Sequence, residues 1–245
     1  MRQVTQTAAV VLAPNPGPMT LEGTNTWLLR APGSDGCIVI DPGPLLEDHL
    51  QEVASHGPVT HILLTHGHYD HSEGAARLAE LTGAGVRALD PAHRLGDEGL
   101  AEGDVIVGGG LELRVLATPG HSSDSLSFVL PDAVLTGDTI LGRGTTVVAH
   151  PDGVLSAYLE SLTRLQELGD RAVLPGHGPE LLSAGDAATM YLAHREMRLE
   201  QVRAAVEGGA ATPRDVVEIV YAEVDQGLWY AAELSVRAQL DYLKT

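Results

Sequence analysis

The stretch Thr65-His66-Gly67-His68-Tyr69-Asp70-His71 places three imidazoles and a carboxylate within six consecutive residues. It follows the apolar run Ile62-Leu63-Leu64, which is typical of a short buried strand. Neutral imidazole nitrogens and carboxylate oxygens are the ligands that borderline metals such as zinc prefer. A lone histidine is usually structural, but this density of ligands at the end of a strand indicates a metal site.

Three shorter motifs follow predicted strands further along the chain. Each sets a glycine beside a ligand-type side chain: Thr118-Pro119-Gly120-His121, Thr136-Gly137-Asp138 and Pro175-Gly176-His177-Gly178. Loops at strand ends converge in the crevices where sheet proteins bind ligands, and glycine lets the backbone approach closely. One such motif alone is a weak signal, but the three together with the first motif predict a single site.

The composition limits the class of protein. The chain has 245 residues, of which 44% are hydrophobic, and 33 acidic against 15 basic residues give a net charge of −18. This composition favours a compact α/β protein and argues against a polyanion-binding surface made by protein charge alone. Cys37 is the only cysteine, so no internal disulfide is expected. The abundance of Arg, Ala and Gly beside the single Lys244 hints at a GC-rich bacterial genome.

The N-terminal apolar run Ala8–Ala13 is too short for a signal peptide or a membrane span, and Pro14 ends it. We therefore expect a cytoplasmic protein that does not bind membranes. Residues 1–185 predict one catalytic domain of short strands and two helices, one beginning near Ser72 and one near Asp152. The strands are predicted at Ala8–Leu12, Thr26–Leu29, Cys37–Ile40, Ile62–Leu64, Val86–Leu89, Leu111–Ala117, Leu126–Leu130, Ala133–Leu135 and Ala172–Leu174.

Residues 186–245 predict a small all-helical subdomain. A helical pattern covers Ala187–Val206, and Gly208-Gly209 ends it. Thr212-Pro213-Arg214-Asp215 predicts a second helix start, because Thr is a good N-cap and Pro suits the first helical position. Apolar residues from Leu228 onward predict a third helix.

These motifs, in this order, resemble the metallo-β-lactamase superfamily over residues 1–185. The resemblance implies an α/β fold, a four-layer αββα sandwich with two divalent metals at one edge between the sheets. It implies that the first metal takes His66, His68 and His121, that the second takes Asp70, His71 and His177, and that Asp138 bridges them. Zinc is the expected metal, with manganese or iron as alternatives.

The resemblance also implies a mechanism. A hydroxide bridging the metals attacks an electrophilic centre, and Asp70 both binds metal and orients this nucleophile. His150, in the loop Thr145–Pro151, is a candidate proton donor. Thr65 and Asp124 are candidates to accept the second N–H of a ligand imidazole, and Asp124 is equally a candidate for a helix or turn cap.

Two positions narrow the reaction. Asp138 stands where the best-known zinc β-lactamases have cysteine, so β-lactam hydrolysis is expected to be weak. His68 stands where the diiron oxidoreductases of the superfamily have glutamate, which disfavours redox chemistry. The remaining candidate reaction is hydrolysis of a phosphodiester, a thioester or a related ester.

The segment Asn15–Thr26, Gly142-Arg143-Gly144 and the tail from His194 onward resemble the lactamase-β-like endoribonuclease branch. That branch implies a C-terminal winged-helix-like subdomain, here without its wing, and cleavage of single-stranded RNA. However, the tail carries nine acidic and six basic residues, which disfavours phosphate binding. A thioesterase of the hydroxyacylglutathione hydrolase type is the alternative enzyme, and a non-enzymatic module is a third hypothesis.

The partner is therefore expected to be single-stranded RNA or a small ester or thioester. The helical tail itself has two alternative predicted roles. It packs against the catalytic edge, or it forms a homodimer contact through apolar faces that include Leu228, Trp229 and Tyr230.

Overall fold

Two mixed β-sheets form the centre of the protein in a computed structural model that describes residues 1–244. The first sheet has the order β1-β2-β3-β4-β5-β6, formed by Arg2–Gln3, Ala8–Leu12, Asn25–Leu29, Cys37–Ile40, Val59–Leu63 and Val86–Arg87. Its strands pair antiparallel up to β4 and parallel from β4 to β6. The second sheet has the order β11-β10-β9-β8-β7, formed by Ala172–Pro175, Ala133–Gly137, Leu126–Val129, Leu111–Ala117 and Val105–Gly108. Only β10 and β11 are parallel in it.

Helices cover the outer faces of both sheets and form the C-terminal region. The helices α1 to α7 span Glu47–Ala54, Tyr69–Ser72, Ala75–Thr82, Leu155–Gln166, Ala184–Glu207, Pro213–Val220 and Trp229–Tyr242. Short 3₁₀ turns lie at Pro91–His93 and Gln226–Leu228.

The alternation of side chains along the strands creates the layers, because successive residues of a strand face opposite sides of its sheet. In β4, Ile38 and Ile40 lie in the core between the two sheets, while Cys37 and Val39 lie in the core beneath α1 and α3. In β10 of the second sheet, Val134 packs in a third core, beneath α4 and α5. The predicted four-layer αββα sandwich is therefore confirmed.

The C-terminal helical region shares a helix with the catalytic fold. The first half of α5, including Tyr191, packs beside α4, whereas Val202 and Ala205 in its second half pack against α6 and α7 in a separate core. The expected cap of α6 is present, since Thr212 Oγ1 accepts from the Asp215 N–H at 3.2 Å. Within residues 176–244 the structure has no strand. The division at residue 185 falls in the first turn of α5 and stays a prediction.

Local boundaries differ from the predictions in several places. Ser72 is not a helix N-cap: it ends α2, and its hydroxyl donates to the Gly67 carbonyl at 3.0 Å. Asp152 precedes α4 and accepts the Ser123 N–H at 2.8 Å. The helix α1 and the edge strand β7 were not predicted. Among residues 1–244, no helix is long and apolar enough to cross a membrane.

Candidate metal centre

The predicted ligands all follow strand ends. The first motif follows β5, His121 follows β8, Asp138 follows β10 and His177 follows β11. Because β10 and β11 are parallel neighbours with Gly137 opposite Pro175, Asp138 and His177 emerge side by side. A methyl group on Gly137 would lie only 2.5 Å from Thr65 Oγ1, which shows how closely the ends of the two sheets approach.

Three imidazoles form the first group of ligands. His68 Nδ1 lies 3.0 Å from His66 Nε2 and 3.0 Å from His121 Nε2. Asp138 Oδ2 approaches His121 Nε2 at 3.8 Å. These four side chains therefore direct three nitrogens and one oxygen toward one small volume.

The second group lies beside the first and shares Asp138 with it. His71 Nε2 and His177 Nε2 are 3.2 Å apart, and Asp70 Oδ2 lies 3.1 Å from His177 Nε2. Asp138 Oδ1 lies 3.4 Å from His71 Nε2 and 3.5 Å from His177 Nε2. The structure thus brings all seven predicted ligands together, with one oxygen of Asp138 facing each group. Their assignment to two metals stays a prediction.

Hydrogen bonds on the far side of four rings fix their tautomers. The Nδ1 atoms of His66, His71, His121 and His177 lie 2.7–3.1 Å from Thr65 Oγ1, Asp41 Oδ2, the Val147 carbonyl and the Gly23 carbonyl, respectively. Carbonyl and carboxylate oxygens only accept, and the Thr65 hydroxyl already donates to Asp41 Oδ2 at 2.7 Å. Nδ1 therefore carries the hydrogen in each neutral ring, and the Nε2 lone pair faces the ligand group. This is how metal-binding histidines are held.

The electrostatics of the cluster fit a cation. Although burial opposes its ionisation, His177 and His71 hold the pKa of the Asp138 carboxyl well below its usual range. Burial also opposes protonation of His177, yet Asp138 raises the pKa of His177 to about 9. Burial lowers the pKa values of His66 and His121. Asp138 Oδ1 is buried without a hydrogen-bond partner among residues 1–244. The buried negative charge thus lacks a full complement of donors, and divalent metals would supply the missing positive charge.

Asp41 is a supporting residue that sequence reasoning missed. It follows β4, is 1% exposed and adopts a left-handed backbone with φ of 51°. Its carboxylate accepts from the Thr65 N–H at 2.8 Å, from the Thr65 hydroxyl at 2.7 Å and from His71 Nδ1 at 2.9 Å. The available signal was a carboxylate at a strand end followed by Pro42-Gly43-Pro44, the same pattern that marks the ligands.

Of the two residues expected to support the ligand imidazoles, one does so. Thr65 contacts His66 as predicted. Asp124 instead accepts from the Ser122 hydroxyl at 2.7 Å. A methyl group on Gly67 would lie 2.3 Å from His93 Nε2, so the ring of His93 packs directly on the ligand loop.

The structure does not bring His150 together with the predicted ligands. Its Nε2 lies 2.9 Å from Asp241 Oδ2 near the end of α7. The ring lines a cavity with Val154, Ala238 and Asp241 that contains none of the seven ligands. The loop around His150 nevertheless supports the site, because the Val147 carbonyl holds His121.

A cavity of about 300 Å³ opens onto the ligand cluster. His121 and Asp138 form part of its wall, while the N-terminal loop contributes Met19 and Leu21. The opposite wall comes from α5 and the C-terminal helices, including Leu228. The tail therefore packs against the catalytic edge, as one of the two alternatives predicted. A homodimer stays a prediction.

A four-layer αββα sandwich with clustered imidazoles and carboxylates at one edge defines a class of metal-dependent hydrolases. The sequence matches the metallo-beta-lactamase superfamily over residues 19–177. It matches the beta-lactamase-associated winged helix domain over residues 212–245. The chain belongs to the metallo-beta-lactamase superfamily and carries the metal-binding cluster of an enzyme.

Relatives and solved structures agree with this assignment. An "atrochrysone carboxyl ACP thioesterase" of Aspergillus fumigatus is 33% identical, with 86% of this chain and 72% of that protein covered. A "beta-lactamase-like protein 2 homolog" of Caenorhabditis elegans is 31% identical, with 95% and 82% covered. The crystal structure of a beta-lactamase domain protein from Burkholderia ambifaria is 25% identical, with a TM-score of 0.83 and 99% and 87% covered.

Proposed function

We propose that the protein hydrolyses thioesters of organic acids. The acyl group would bind in the cavity beside the ligand cluster. The cluster would hold two divalent metals, and zinc is the expected metal. The proposal rests mainly on the composition of this cavity. His121 and Asp138 belong both to the ligand cluster and to the cavity wall, and most of the remaining lining residues are apolar. Apolar pockets with a few convergent polar groups are typical small-molecule sites. Its volume of about 300 Å³ suits an acyl chain.

The ligand residues have distinct roles in this proposal. His66, His68 and His121 would hold one metal, Asp70, His71 and His177 would hold the other, and Asp138 would serve both. Bound divalent metals supply Lewis-acid activation of water and of a carbonyl oxygen. The Nδ1 hydrogen bonds hold the imidazoles in the binding tautomer, so little reorganisation is needed.

Asp70 is the proton acceptor in this site. Burial raises the pKa of the Asp70 carboxyl, but the hydrogen bond from His177 together with the charges of His71 and His177 outweighs it, and the pKa lies below its ordinary value. Asp70 is therefore ionised at neutral pH. Its side chain is 30% exposed, so it can accept a proton from the attacking water and pass it to solvent.

The leaving group favours a thioester over an RNA phosphodiester. A thiol has a pKa of about 8.5 and leaves as a thiolate without prior protonation. An alkoxide leaving group, as in RNA cleavage, depends far more than a thiolate on protonation by a general acid. The residue suggested by the sequence as proton donor, His150, pairs with Asp241 away from the ligands. The similarity to a relative named as a thioesterase supports the same choice.

Single-stranded RNA is the second candidate substrate. The match to the winged helix domain favours it, as do the arginines that line the cavity, Arg143, Arg195 and Arg198. The net charge of −18 opposes it, because phosphate contacts dominate nucleic-acid affinity. Weak β-lactam hydrolysis remains a further predicted side activity.

The test compares the candidate substrates on one metal-loaded preparation. Thiol release from acyl N-acetylcysteamine thioesters, cleavage of a fluorescent single-stranded RNA and turnover of a chromogenic cephalosporin would be measured together. We expect thiol release that Asp70→Asn lowers by at least about 100-fold, the scale of lost acid–base catalysis. Asp152→Asn is the matched control, since Asp152 is exposed and its carboxylate accepts the Ser123 N–H at 2.8 Å, outside the ligand cluster. RNA cleavage that depends on Asp70, without thiol release, would overturn the proposal.

A further inference from the structure

Three residues of α5 place basic groups on the cavity wall. Arg198 lies four residues after His194 and three after Arg195, which places it beside both on the helix surface, and all three line the cavity. With Arg143, which already pairs with Glu22, the wall contains three arginines and one acidic residue, Asp138. The chain as a whole has more than twice as many acidic as basic residues. The cavity therefore reverses the charge balance of the protein.

Arg195 and Arg198 have no carboxylate partner among residues 1–244, although acidic groups are abundant. Arg195 is 3% exposed, stacks over the Tyr158 ring at 4.9 Å and donates to the Thr146 carbonyl. Arg198 stacks over the Tyr221 ring at 4.7 Å and donates to the Val220 carbonyl at 2.9 Å. The Nε atom of each guanidinium is buried without a hydrogen-bond partner in the described chain.

Other arginines, such as Arg94 and Arg171, also lack a carboxylate partner, but their Nε atoms donate to carbonyl groups. Arg203, on the same helix, is exposed and pairs with Glu200, and Arg164 on α4 pairs with Glu102 at 2.7 Å. Leaving a buried charge or a buried donor without a partner is costly. Arg195 is buried and Arg198 is half-buried, and both have a buried Nε without a partner. Guanidinium groups bind carboxylates with two parallel hydrogen bonds, so an anion carried by the ligand would supply the missing partner.

We propose that Arg195 and Arg198 form a carboxylate subsite, and that the preferred substrates are thioesters whose acyl chain ends in a carboxylate. This inference rests on the proposed thioesterase function and names its substrate class. The apolar wall formed by Met19, Leu141 and Leu228 belongs to the same cavity as the arginines and His121. A hydrocarbon chain with a charged end matches that combination of apolar wall and guanidinium groups better than a ribose-phosphate does.

The two arginines differ in their second tasks. Arg195 also holds the Thr146 carbonyl, and Thr146 Oγ1 lies 3.2 Å from Nδ1 of the ligand His121. Its replacement would disturb the ligand as well as the subsite. Arg198 contacts Gln201 and Val220, away from the ligands. Replacing Arg198 therefore tests the carboxylate subsite without disturbing the contacts that support His121.

The experiment uses two thioesters of equal chain length on the metal-loaded full chain. Glutaryl- and pentanoyl-N-acetylcysteamine differ only in the terminal group, carboxylate against methyl. A charge-assisted hydrogen bond contributes about 1.5–3 kcal/mol, so we expect kcat/KM to favour the glutaryl thioester by about 10- to 100-fold. Arg198→Gln should remove that preference, mainly by raising KM for the glutaryl thioester. Arg198→Lys should restore part of the preference, because it restores the charge.

Arg203→Gln is the matched control, since it removes an exposed arginine from the same helix, and it should keep the preference intact. Hydrolysis of both thioesters without preference would overturn the subsite and leave the proposed function standing. If neither thioester is hydrolysed, the proposed function fails, and calorimetry of glutarate against pentanoate decides the subsite independently. If glutarate binds more tightly than pentanoate and Arg198→Gln abolishes the difference, the subsite is supported. Equal binding of glutarate and pentanoate overturns the subsite. Inorganic phosphate that displaces glutarate at lower concentration would overturn the carboxylate assignment.

Discussion

Replacing Asp41 with asparagine tests how the ligand rings are held. Asparagine keeps the size of the side chain and tolerates the left-handed backbone at φ of 51°. Its carbonyl oxygen can still accept the Thr65 N–H that Asp41 Oδ1 now accepts at 2.8 Å. The amide nitrogen then takes the place of Oδ2, which accepts from His71 Nδ1 at 2.9 Å. An amide N–H cannot accept, so His71 is driven to the tautomer with its hydrogen on Nε2, facing the ligand group.

The size of the effect follows from the lost hydrogen bond. A hydrogen bond to a charged group contributes about 1.5–3 kcal/mol, and about 1.4 kcal/mol corresponds to a factor of ten. We therefore expect the metal held by Asp70, His71 and His177 to bind about 10- to 100-fold more weakly. Losses of this size are typical when the outer partner of a metal ligand is removed.

The assay is a competition with a colorimetric chelator that resolves two binding steps. Thr65→Val supplies the complementary variant, because it removes the hydroxyl that accepts from His66 at 3.0 Å and leaves the contact between Asp41 and His71. We expect Asp41→Asn to weaken chiefly the step assigned to His71 and Thr65→Val to weaken chiefly the step assigned to His66. Urea unfolding of the metal-free variants controls for lost stability. Unchanged affinities in Asp41→Asn, with the fold intact, would refute the role given to Asp41.

Three further predictions concern the cluster and the cavity. Asp138→Ala should lower the occupancy of both metals in elemental analysis, because its two oxygens face both ligand groups; full occupancy would exclude a bridging role. Gly176→Ala should also reduce metal content, since the new methyl would lie 2.6 Å from Asp138 Oδ1 and 2.7 Å from His71 Cε1; normal metal content would contradict that crowding. Burial and the neighbouring Arg195 and Arg198 lower the pKa of His194 to about 4, below the value near 6.5 of the unfolded chain. The unfolding free energy should therefore fall as pH drops from about 6.5 to about 4, and thermal melts of His194→Gln should show a shallower fall.

The clustering of the seven predicted ligands could be foreseen from the sequence because each of the four ligand motifs follows a strand that a short apolar run indicates. Ile62-Leu63-Leu64, Leu111–Ala117 and Ala133–Leu135 all gave strands in the structure, with bounds within a few residues. Glycines beside the ligands added a second signal, since Gly176 has no room for a side chain. The local sequence therefore predicted both the strands and the site residues at their ends.

Features that depend on which strands are neighbours were not predictable in the same way. Asp41 reaches Thr65 and His71 because β4 and β5 are parallel, with Ile40 opposite Leu63. No local pattern states that pairing. His150 illustrates the converse: its loop reaches the ligands through Val147, but Asp241, 91 residues away in the chain, holds its ring elsewhere. The helix α1 was missed because Leu46 at its N-cap position offers no capping side chain.

The wall of the cavity opposite the ligands comes from a different part of the gene than the ligands themselves. All seven predicted ligands lie between residues 66 and 177, whereas the wall that faces them comes from α5 and residues 221–235. Under the proposed function, substitutions in this wall other than at Arg195, which supports His121 through Thr146, would change which acyl groups fit while every predicted ligand stays in place. Selection for a new substrate and selection for metal binding would then act largely on separate residues of this chain, so a fixed chemistry could be paired with a changing specificity.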